Sequence, residues 1–281
     1  MQKKNKQVCF LRNKLFLFFL VLLSLIPLLD FFQSGLPDTH DGKDHVKRIA
    51  SFYQSLSEGN FIPRWGGNLN RGYGHPVLTF FYPFSSYLGS LFHFLGFSFV
   101  NSTKIVFCLG FILSGVFMYL WIKELWGKRA GFAAGLVYMF APYRFVDLYV
   151  RGAIGECTAF IWPPLICWFV LKLSQKIKWS YLAGLSLSLA ALILSHNALS
   201  IMFLPVIFGY MIYLIYSSDK KLLYTLYFIL CTFFGFALSA FFWLPAFFEA
   251  KYTLRDIVMA GMMTGFEPFS RLIWSVWKIT D

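Results

Sequence analysis

The chain has 281 residues, of which 58% are hydrophobic, 21% aromatic and only 14% charged. Soluble domains average roughly 45–50% apolar and about 25% charged residues, so this composition excludes an ordinary soluble enzyme. Apolar runs of about 17 or more residues recur along the chain, which predicts an all-α, polytopic membrane protein. The net charge of +12 does not indicate nucleic-acid binding, because the basic residues fall in short runs between apolar segments, as topology signals do.

The chain begins with a basic segment, MQKKNKQVCFLRNK, followed by the apolar stretch LFLFFLVLLSLIPLLDFF. A signal peptide has the same arrangement, but no small-x-small cleavage motif follows the apolar stretch. We therefore expect an uncleaved first helix in the cell membrane, with a cytoplasmic N-terminus. Under either interpretation residue 36 lies outside the cytoplasm.

Seven segments are apolar enough to predict membrane crossings. They are about 14–32, 101–122, 130–143, 154–172, 181–198, 200–216 and 222–245. The third is short, and we expect it to extend through the following APYRF. An eighth apolar stretch, 76–97, contains Pro76, Pro83 and His93 and lacks flanking basic residues.

The distribution of lysine and arginine favours an arrangement in which 76–97 does not cross. The cytoplasmic segments then hold 13 of the 25 basic residues and two of the 13 acidic ones, which gives them a net charge of +11. The remaining residues give the outer segments a net charge of +1. A full crossing would move KELWGKR, KLSQKIK and SDKK outside. We therefore expect 76–97 to be a helix at the outer interface. The polar segments 36–75, 143–156, 194–200 and 243–252 then share the outer face.

These boundaries describe a single membrane domain, 1–281. It comprises a first span (1–35), an external loop with interfacial helices (36–100), six further spans (101–245) and an external tail (246–281). The sequence stops just after the aromatic-rich FSRLIWSVWK, so we expect it to be part of a longer protein.

The external loop collects titratable side chains just before a predicted amphipathic helix between Pro37 and Gly59. They are Asp38, His40, Asp41, Asp44 and His45. Helical spacing would pair Asp41 with His45 and Asp44 with Arg48. A carboxylate here could serve as a general base, and the Asp/His set could hold a divalent cation. The alternative is a solvated helix start capped by Asp38 or Asp41.

Three further groups of polar residues lie in the outer segments. Glycine-rich PRWGGNLNRGYGHP carries Arg64, Arg71 and His75, which could hold a phosphate or simply pair with lipid headgroups. The segment YRFVDLYVRGAIGE carries Arg144, Asp147, Arg151 and Glu156. Helical spacing would pair Asp147 with Arg144 and with Arg151 in a salt-bridged helix, and the alternative is an anion site with Arg151 or Arg144 as ligand. His196, Asn197 and Glu249 are weaker candidates, since single polar residues at helix ends are usually structural.

Several chemistries lack their motifs. No P-loop, GxGxxG, HExxH or GxSxG is present, so nucleotide hydrolysis and zinc-protease activity have no support. The five cysteines form no CxxC pair and are expected to be small hydrophobic residues of the interior.

The motifs HDGKDH (40–45), EGNFIPRW (58–65), GYGHP with FYP (72–83), APYR with YVRGAIGE (141–156), SHN (195–197) and WLPAFFE (243–249) together resemble a bacterial membrane protein family. The family is known as 6-pyruvoyl-tetrahydropterin synthase-related membrane proteins and is related to GT-C glycosyltransferases. The sequence does not support the pterin synthase activity in the family's name, because we find no three-histidine zinc set in it.

The resemblance implies a GT-C-like core of about seven transmembrane helices and a catalytic Asp in the first external loop. Asp41 is the best match, with Asp38 and Asp44 as alternatives. The implied reaction transfers a sugar from a polyprenyl-phosphate-linked donor, whose leaving phosphate Arg144, Arg151 and the Arg64–His75 loop would stabilise. The alternatives are a transporter or channel for a lipid-linked or anionic solute, and a scaffold of the cell envelope. Membrane lipids and the lipid-linked donor are the expected partners.

Overall fold

The computed structural model describes residues 15–254, and their regular structure is helical throughout. Helix α1 (Leu15–Ser24) bends into a 3-10 helix at Ile26–Phe32. It is followed by α2 (Gly42–Ser57), α3 (Val77–Phe80), α4 (Phe84–Phe94), α5 (Phe99–Met139), α6 (Pro142–Phe145), a π-helical turn (Val146–Arg151), α7 (Ile154–Ala159), α8 (Trp162–Gln175), α9 (Trp179–Ser195), α10 (Asn197–Tyr216) and α11 (Lys221–Glu249). The predicted all-α fold is confirmed, whereas the basic N-terminal segment and the tail beyond 254 lie outside the described residues.

Four of the described helical segments are long and apolar enough to cross a membrane: Phe99–Met139, Ile154–Gln175, Asn197–Tyr216 and Lys221–Tyr252. The first helix and its 3-10 continuation, bent by 51°, make a fifth if they form one span. This establishes a protein with several membrane-length helices. A core of seven crossings stays a prediction.

Helix α5 consists of two antiparallel arms joined at Gly127. This residue has φ +83° and ψ 176°, which glycine adopts without steric cost. In the second arm, a Cβ at Gly131 would lie 2.8 Å from the carbonyl oxygen of Tyr119 in the first arm. Gly135 approaches Gly115 in the same way, the close contact that small residues four apart permit between helices. The segments expected at 101–122 and 130–143 are therefore the two arms of one helical hairpin.

The second arm does not continue through APYRF as expected. It ends at Met139, and Pro142 begins the separate short helix α6. Proline has no N–H to continue the hydrogen bonding of the preceding turn, and it forces residue 141 out of helical geometry. The chain thereby turns away from the span and places residues 143–156 at one end of the molecule.

The break between the expected spans 181–198 and 200–216 falls at His196, three residues earlier than predicted. Its extended backbone, with φ −167° and ψ 120°, ends α9 and begins α10. Asn197 is thus the first residue of α10 rather than part of a loop.

The ambiguous stretch 76–97 contains two short helices, α3 and α4, separated at Phe81–Pro83. The 11 residues of α4 extend about 16 Å, roughly half the hydrocarbon thickness of a bilayer. Gly89 of α4 packs on Ile49 of α2, and His93 stacks on Phe99 with ring centroids 3.6 Å apart. The length argues against a continuous crossing, and the position at the interface stays a prediction.

Two apolar cores hold the helices together. One joins α1, α2, both arms of α5 and the π-helical turn through residues such as Leu28, Phe107 and Leu148. The other joins α8 to α11 through residues such as Ile166, Leu189 and Phe228. Cys157, Cys167 and Cys231 are free and buried, as expected for interior cysteines.

The polar connections gather at opposite ends of the bundle. At one end Lys172 pairs with Glu124 at 2.8 Å, and the Tyr224 hydroxyl donates to the carbonyl of Ser174. These contacts join segments that the charge distribution predicts to be cytoplasmic. The segments predicted to be external meet at the other end, where Tyr82 contacts His196.

Candidate functional site

The start of α2 is fastened to the π-helical turn by backbone hydrogen bonds. The N–H groups of His40 and Asp41 donate to the carbonyls of Val150 and Arg151, at 3.0 and 2.9 Å. Gly152 permits this approach, because it adopts φ +64° and a Cβ there would overlap the side chain of Thr39. Two segments more than 100 residues apart in sequence are therefore held together.

A compact polar network surrounds the guanidinium of Arg151. Its Nη2 lies 2.6 Å from Glu156 Oε1, and its Nη1 lies 3.5 Å from Asp147 Oδ1. Nη1 also donates to the Tyr143 hydroxyl at 2.7 Å, and that hydroxyl donates to Glu156 Oε2 at 2.5 Å. His196 Nε2 lies 3.8 Å from Glu156 Oε1. We call Tyr143, Asp147, Arg151, Glu156 and His196 the Arg151 cluster.

The two carboxylates of the Arg151 cluster are almost completely buried. Asp147 is 0% and Glu156 is 4% exposed, whereas the Arg151 side chain is 38% exposed. Burial, followed by the repulsion of the Glu156 carboxylate, raises the pKa of Asp147. The site therefore holds two buried carboxylates, Asp147 and Glu156, of which the charge of Glu156 affects the protonation of Asp147. Arg151, which contacts both, reaches the surface.

His196 is oriented by its position at the start of α10. Its Nδ1 accepts the N–H of Leu199 at 3.2 Å, so the neutral ring carries its proton on Nε2, which faces Glu156. Burial lowers the pKa of His196, which favours this neutral form. The ring of Tyr82 lies against His196, with centroids 4.8 Å apart.

Tyr82 contacts the Arg151 cluster through His196, and its neighbour Phe81 contacts α2. A Cβ at Gly155 would overlap the ring of Tyr82, so glycine is needed for the contact. Burial and then the Glu156 carboxylate raise the pKa of its hydroxyl, and the charges of Arg48 and Asp41 also act on it. The ring centroids of Tyr82 and Phe81 are 4.1 Å apart, and the guanidinium of Arg48 lies 4.4 Å from the Phe81 centroid.

The titratable residues of segment 38–45 do not form the pairs expected from helical spacing. Asp38 binds Lys43 at 2.8 Å and Asp44 binds Lys47 at 3.0 Å, and each lysine lowers the pKa of its carboxyl partner. His45 points inward, with Arg48 Nη1 at 3.4 Å from its Nδ1. Asp41 stands at the N-cap of α2 without a side-chain cap bond, since Thr39 Oγ1 accepts the Gly42 N–H instead.

His45 is therefore a buried neutral histidine rather than a solvent-accessible base. It is 2% exposed, and burial followed by the charge of Arg48 lowers its pKa to about 3. Asp41 and His40 are exposed. Within residues 15–254, Asp41 is the one carboxylate of segment 38–45 that makes no ion pair.

Arg144 is not placed to bind an external anion. It is 2% exposed, donates to Ser114 Oγ at 3.3 Å, and lies 4.5 Å from the ring centroid of Phe160. Its Nε and Nη1 and the Oδ2 of Asp147 have no hydrogen-bond partner. The expected Arg144–Asp147 salt bridge is not formed, although Asp147 does pair with Arg151.

In the part of the chain that the structure describes, the remaining candidates make no polar side-chain contact with the Arg151 cluster, although Asn197 directly follows His196 in the chain. Among the described residues, no hydrogen bond or ion pair connects the cluster to these five side chains: Arg64, Arg71, His75, Asn197 and Glu249. The first four are exposed, and Glu249 is half-buried at the end of α11. The arginine-rich loop therefore has no direct hydrogen bond or ion pair to the carboxylate-rich site among the described residues.

The described residues contain no group of three or more His, Cys, Asp or Glu side chains that could hold a metal ion. The expected Asp/His set is dispersed, because His45 turns inward and two of the acids pair with lysines. The possible divalent cation therefore gains no support from segment 38–45.

Sequence reasoning did not single out Tyr82 or Tyr143. Both lie beside prolines, in FYP and APY, at helix boundaries. Tyrosine next to a helix-breaking proline at the end of an apolar segment is a signal that could have suggested them, because its hydroxyl needs a polar partner there.

Comparison with known proteins yields one family and one distant relative. The model of the 6-pyruvoyl-tetrahydropterin synthase related domain, a membrane protein, matches residues 78–277, which include the Arg151 cluster and Tyr82 but not segment 38–45. An uncharacterized protein of Lactococcus lactis subsp. cremoris (strain MG1363) is 24% identical over 210 residues, 72% of this chain. The match spans 34% of that relative, about a third of its length. No solved structure matches. With most of its length covered by the family model, the chain belongs to the 6-pyruvoyl-tetrahydropterin synthase-related family of membrane proteins.

Proposed function

We propose that the protein transfers a sugar from a polyprenyl-phosphate-linked donor to an acceptor hydroxyl at the outer face of the membrane, with Asp41 as general base. One observation carries the proposal. Asp41 is the exposed, unpaired carboxylate of segment 38–45, and its backbone is anchored beside the Arg151 cluster.

Asp41 suits a general base better than its two acidic neighbours. Asp38 and Asp44 are each held by a lysine, which lowers the proton affinity of the carboxylate. The position of Asp41 is fixed, since its N–H donates to Arg151 and its carbonyl accepts the N–H of His45. These backbone bonds hold Asp41 next to the π-helical turn that carries Arg151.

In the proposed reaction the acceptor oxygen forms a bond to the anomeric carbon, and the bond from that carbon to the phosphate oxygen breaks. The hydroxyl proton passes to Asp41, and the electron pair of the broken bond leaves with the lipid phosphate. Arg151, with its partly exposed side chain, and Arg48 of α2 both act on Tyr82, and they supply positive charge for this leaving group. Glu156 and Tyr143 hold Arg151 in position.

A second function is favoured by a different observation. Arg151 is the one arginine of the cluster, and it is already paired with Glu156 and bonded to Tyr143. Such a closed network also suits a transporter or channel that recognises an anionic or lipid-linked solute without cleaving it, or a structural subunit of the cell envelope.

Release of polyprenyl phosphate from a labelled lipid-linked sugar in proteoliposomes distinguishes these functions. Asp41→Asn removes proton acceptance and keeps the shape, so we expect turnover to fall by at least about 100-fold with donor binding retained. Asp38→Asn, three positions away and also exposed, is the matched control and should retain turnover.

Normal turnover of Asp41→Asn would rule out Asp41 as the base. Movement of the intact donor across the bilayer without cleavage would replace the transferase by the transporter.

A further inference from the structure

The loop formed by residues 60–75 exposes large aromatic side chains between arginines. Phe61 is 79%, Trp65 55% and Tyr73 84% exposed, and Arg64 and Arg71 are exposed beside them. Residues 60–77 contain no acidic residue. The proposed transferase reaction makes no use of this surface, which we call the aromatic–arginine loop.

The aromatic–arginine loop has a defined conformation. Gly66 and His75 exchange two backbone hydrogen bonds of 2.8 and 3.1 Å, which close the loop at its base. Gly74 adopts φ +82° directly over the ring of Trp65, where any Cβ would overlap the indole. The Asn68 amide also bonds to Gln54 of α2. The exposed aromatic rings are therefore presented by a structured loop that is tied to α2.

The depth of the loop can be judged from its contact with α11. A narrow crevice is lined by Ile62–Arg64 on one side and by Phe241, Phe242 and Pro245 of α11 on the other. These α11 residues lie four to eight positions before the end of the helix at Glu249, about 6–12 Å along the helix axis. Since α11 is long and apolar enough to cross a membrane, this part of the loop lies beside the last turns of a span.

Tryptophan and tyrosine favour this level, where one edge of the ring meets the acyl chains and the other meets water. Arginine side chains at the same level reach phosphate groups while their aliphatic parts stay in the apolar layer. We propose that the aromatic–arginine loop binds the surface of the adjacent leaflet, with Phe61, Trp65 and Tyr73 at the boundary of headgroups and acyl chains and Arg64 and Arg71 on the phosphates of anionic phospholipids. This binding anchors α2, and with it Asp41, at a set height above the membrane.

The test uses the whole protein in vesicles of phosphatidylcholine with increasing phosphatidylglycerol, without donor or acceptor. An environment-sensitive fluorophore is attached at Tyr73→Cys, and in a matched protein at Asp38→Cys. Asp38 is also exposed but precedes the start of α2, whereas the loop is tied to Gln54 near the end of that helix. Labelled wild-type protein corrects for the native cysteines. Quenching by phospholipids that carry a nitroxide in the upper acyl chain reports contact with the bilayer.

We expect at least threefold stronger quenching at position 73 than at position 38, increasing with phosphatidylglycerol. The Arg64→Gln/Arg71→Gln double variant should lose the increase and keep the quenching in pure phosphatidylcholine. Equal quenching at the two positions overturns membrane binding by the loop. A response to small amounts of polyprenyl phosphate but not to phosphatidylglycerol overturns the proposed lipid partner and assigns the arginines to the donor. Because no turnover is measured, the outcome is independent of the transferase proposal.

Discussion

The acidic residues of segment 38–45 and those of the Arg151 cluster occupy contrasting surroundings. Segment 38–45 holds three aspartates in seven positions, yet two pair with lysines in solvent and the third is exposed. Asp147 and Glu156 are nine residues apart, yet both are buried against the same arginine. Density of charge along the sequence therefore does not measure density of charge in space. Where the charges are buried, each interaction is strengthened by the low dielectric of its surroundings.

The largest expected difference between the two regions concerns Glu156. Glu156→Gln removes the charge from its hydrogen bonds to Arg151 and Tyr143 and leaves Arg151 with the weaker partner Asp147. We expect the free energy of unfolding to fall by about 3 kcal/mol, the lower part of the range for breaking a buried pair, because Arg151 is partly exposed. Thermal and denaturant unfolding in detergent measure the change.

Asp38→Asn is the control for this comparison, because it breaks the ion pair with Lys43 in solvent. It should leave unfolding unchanged within error. Equal destabilisation by the two variants would contradict the view that burial separates the two regions.

The contact between Tyr82 and the Arg151 cluster can be tested through Gly155. A Cβ at this position overlaps the Tyr82 ring, so Gly155→Ala must displace the tyrosine and its contact with His196. We expect a loss of about 2 kcal/mol in the free energy of unfolding, typical of overpacking. Gly67→Ala is the matched control, since no atom lies within 4 Å of a Cβ there. If Gly155→Ala were no less stable than Gly67→Ala, Tyr82 would not be packed as described.

A smaller effect concerns the buried histidine of α2. The pKa of His45 is lowered to about 3 in the folded protein, from an ordinary value of 6.5. The unfolded chain therefore binds more protons between these values, so the contribution of His45 to stability is lost as the pH falls below about 6.5. At pH 5.5 we expect a loss of about 1.4 kcal/mol relative to pH 7.5 from this group alone.

The stability difference between the wild type and His45→Gln, measured from pH 7.5 to 5, isolates this contribution. The comparison is needed because Asp147, with its raised pKa, acts in the opposite direction: its burial penalty is relieved as the pH falls. A pH-independent difference would show that His45 is accessible to solvent in the folded protein.

Part of this site was predictable from sequence. The apolar segments and the charge distribution predicted the helical membrane fold and the group of polar segments that meets at one end. The pairing of Asp147 with Arg151 followed from a spacing of four residues on one helical turn. The helix after Pro37 and the break near His196 were also predicted, the latter to within a few residues.

The sequence by itself determined which segments are apolar and which residues are four apart, because hydrophobicity and helical periodicity are local properties. Only the tertiary structure decided that Glu156, Tyr143 and His196 meet Arg151, that His45 and Arg144 turn inward, and that Asp41 is unpaired. Those outcomes depend on close approaches at Gly152 and Gly155 and on proline breaks at residues 83 and 142, which set the relative positions of distant segments. Side-chain partners across such approaches follow from packing between helices, which no local pattern encodes.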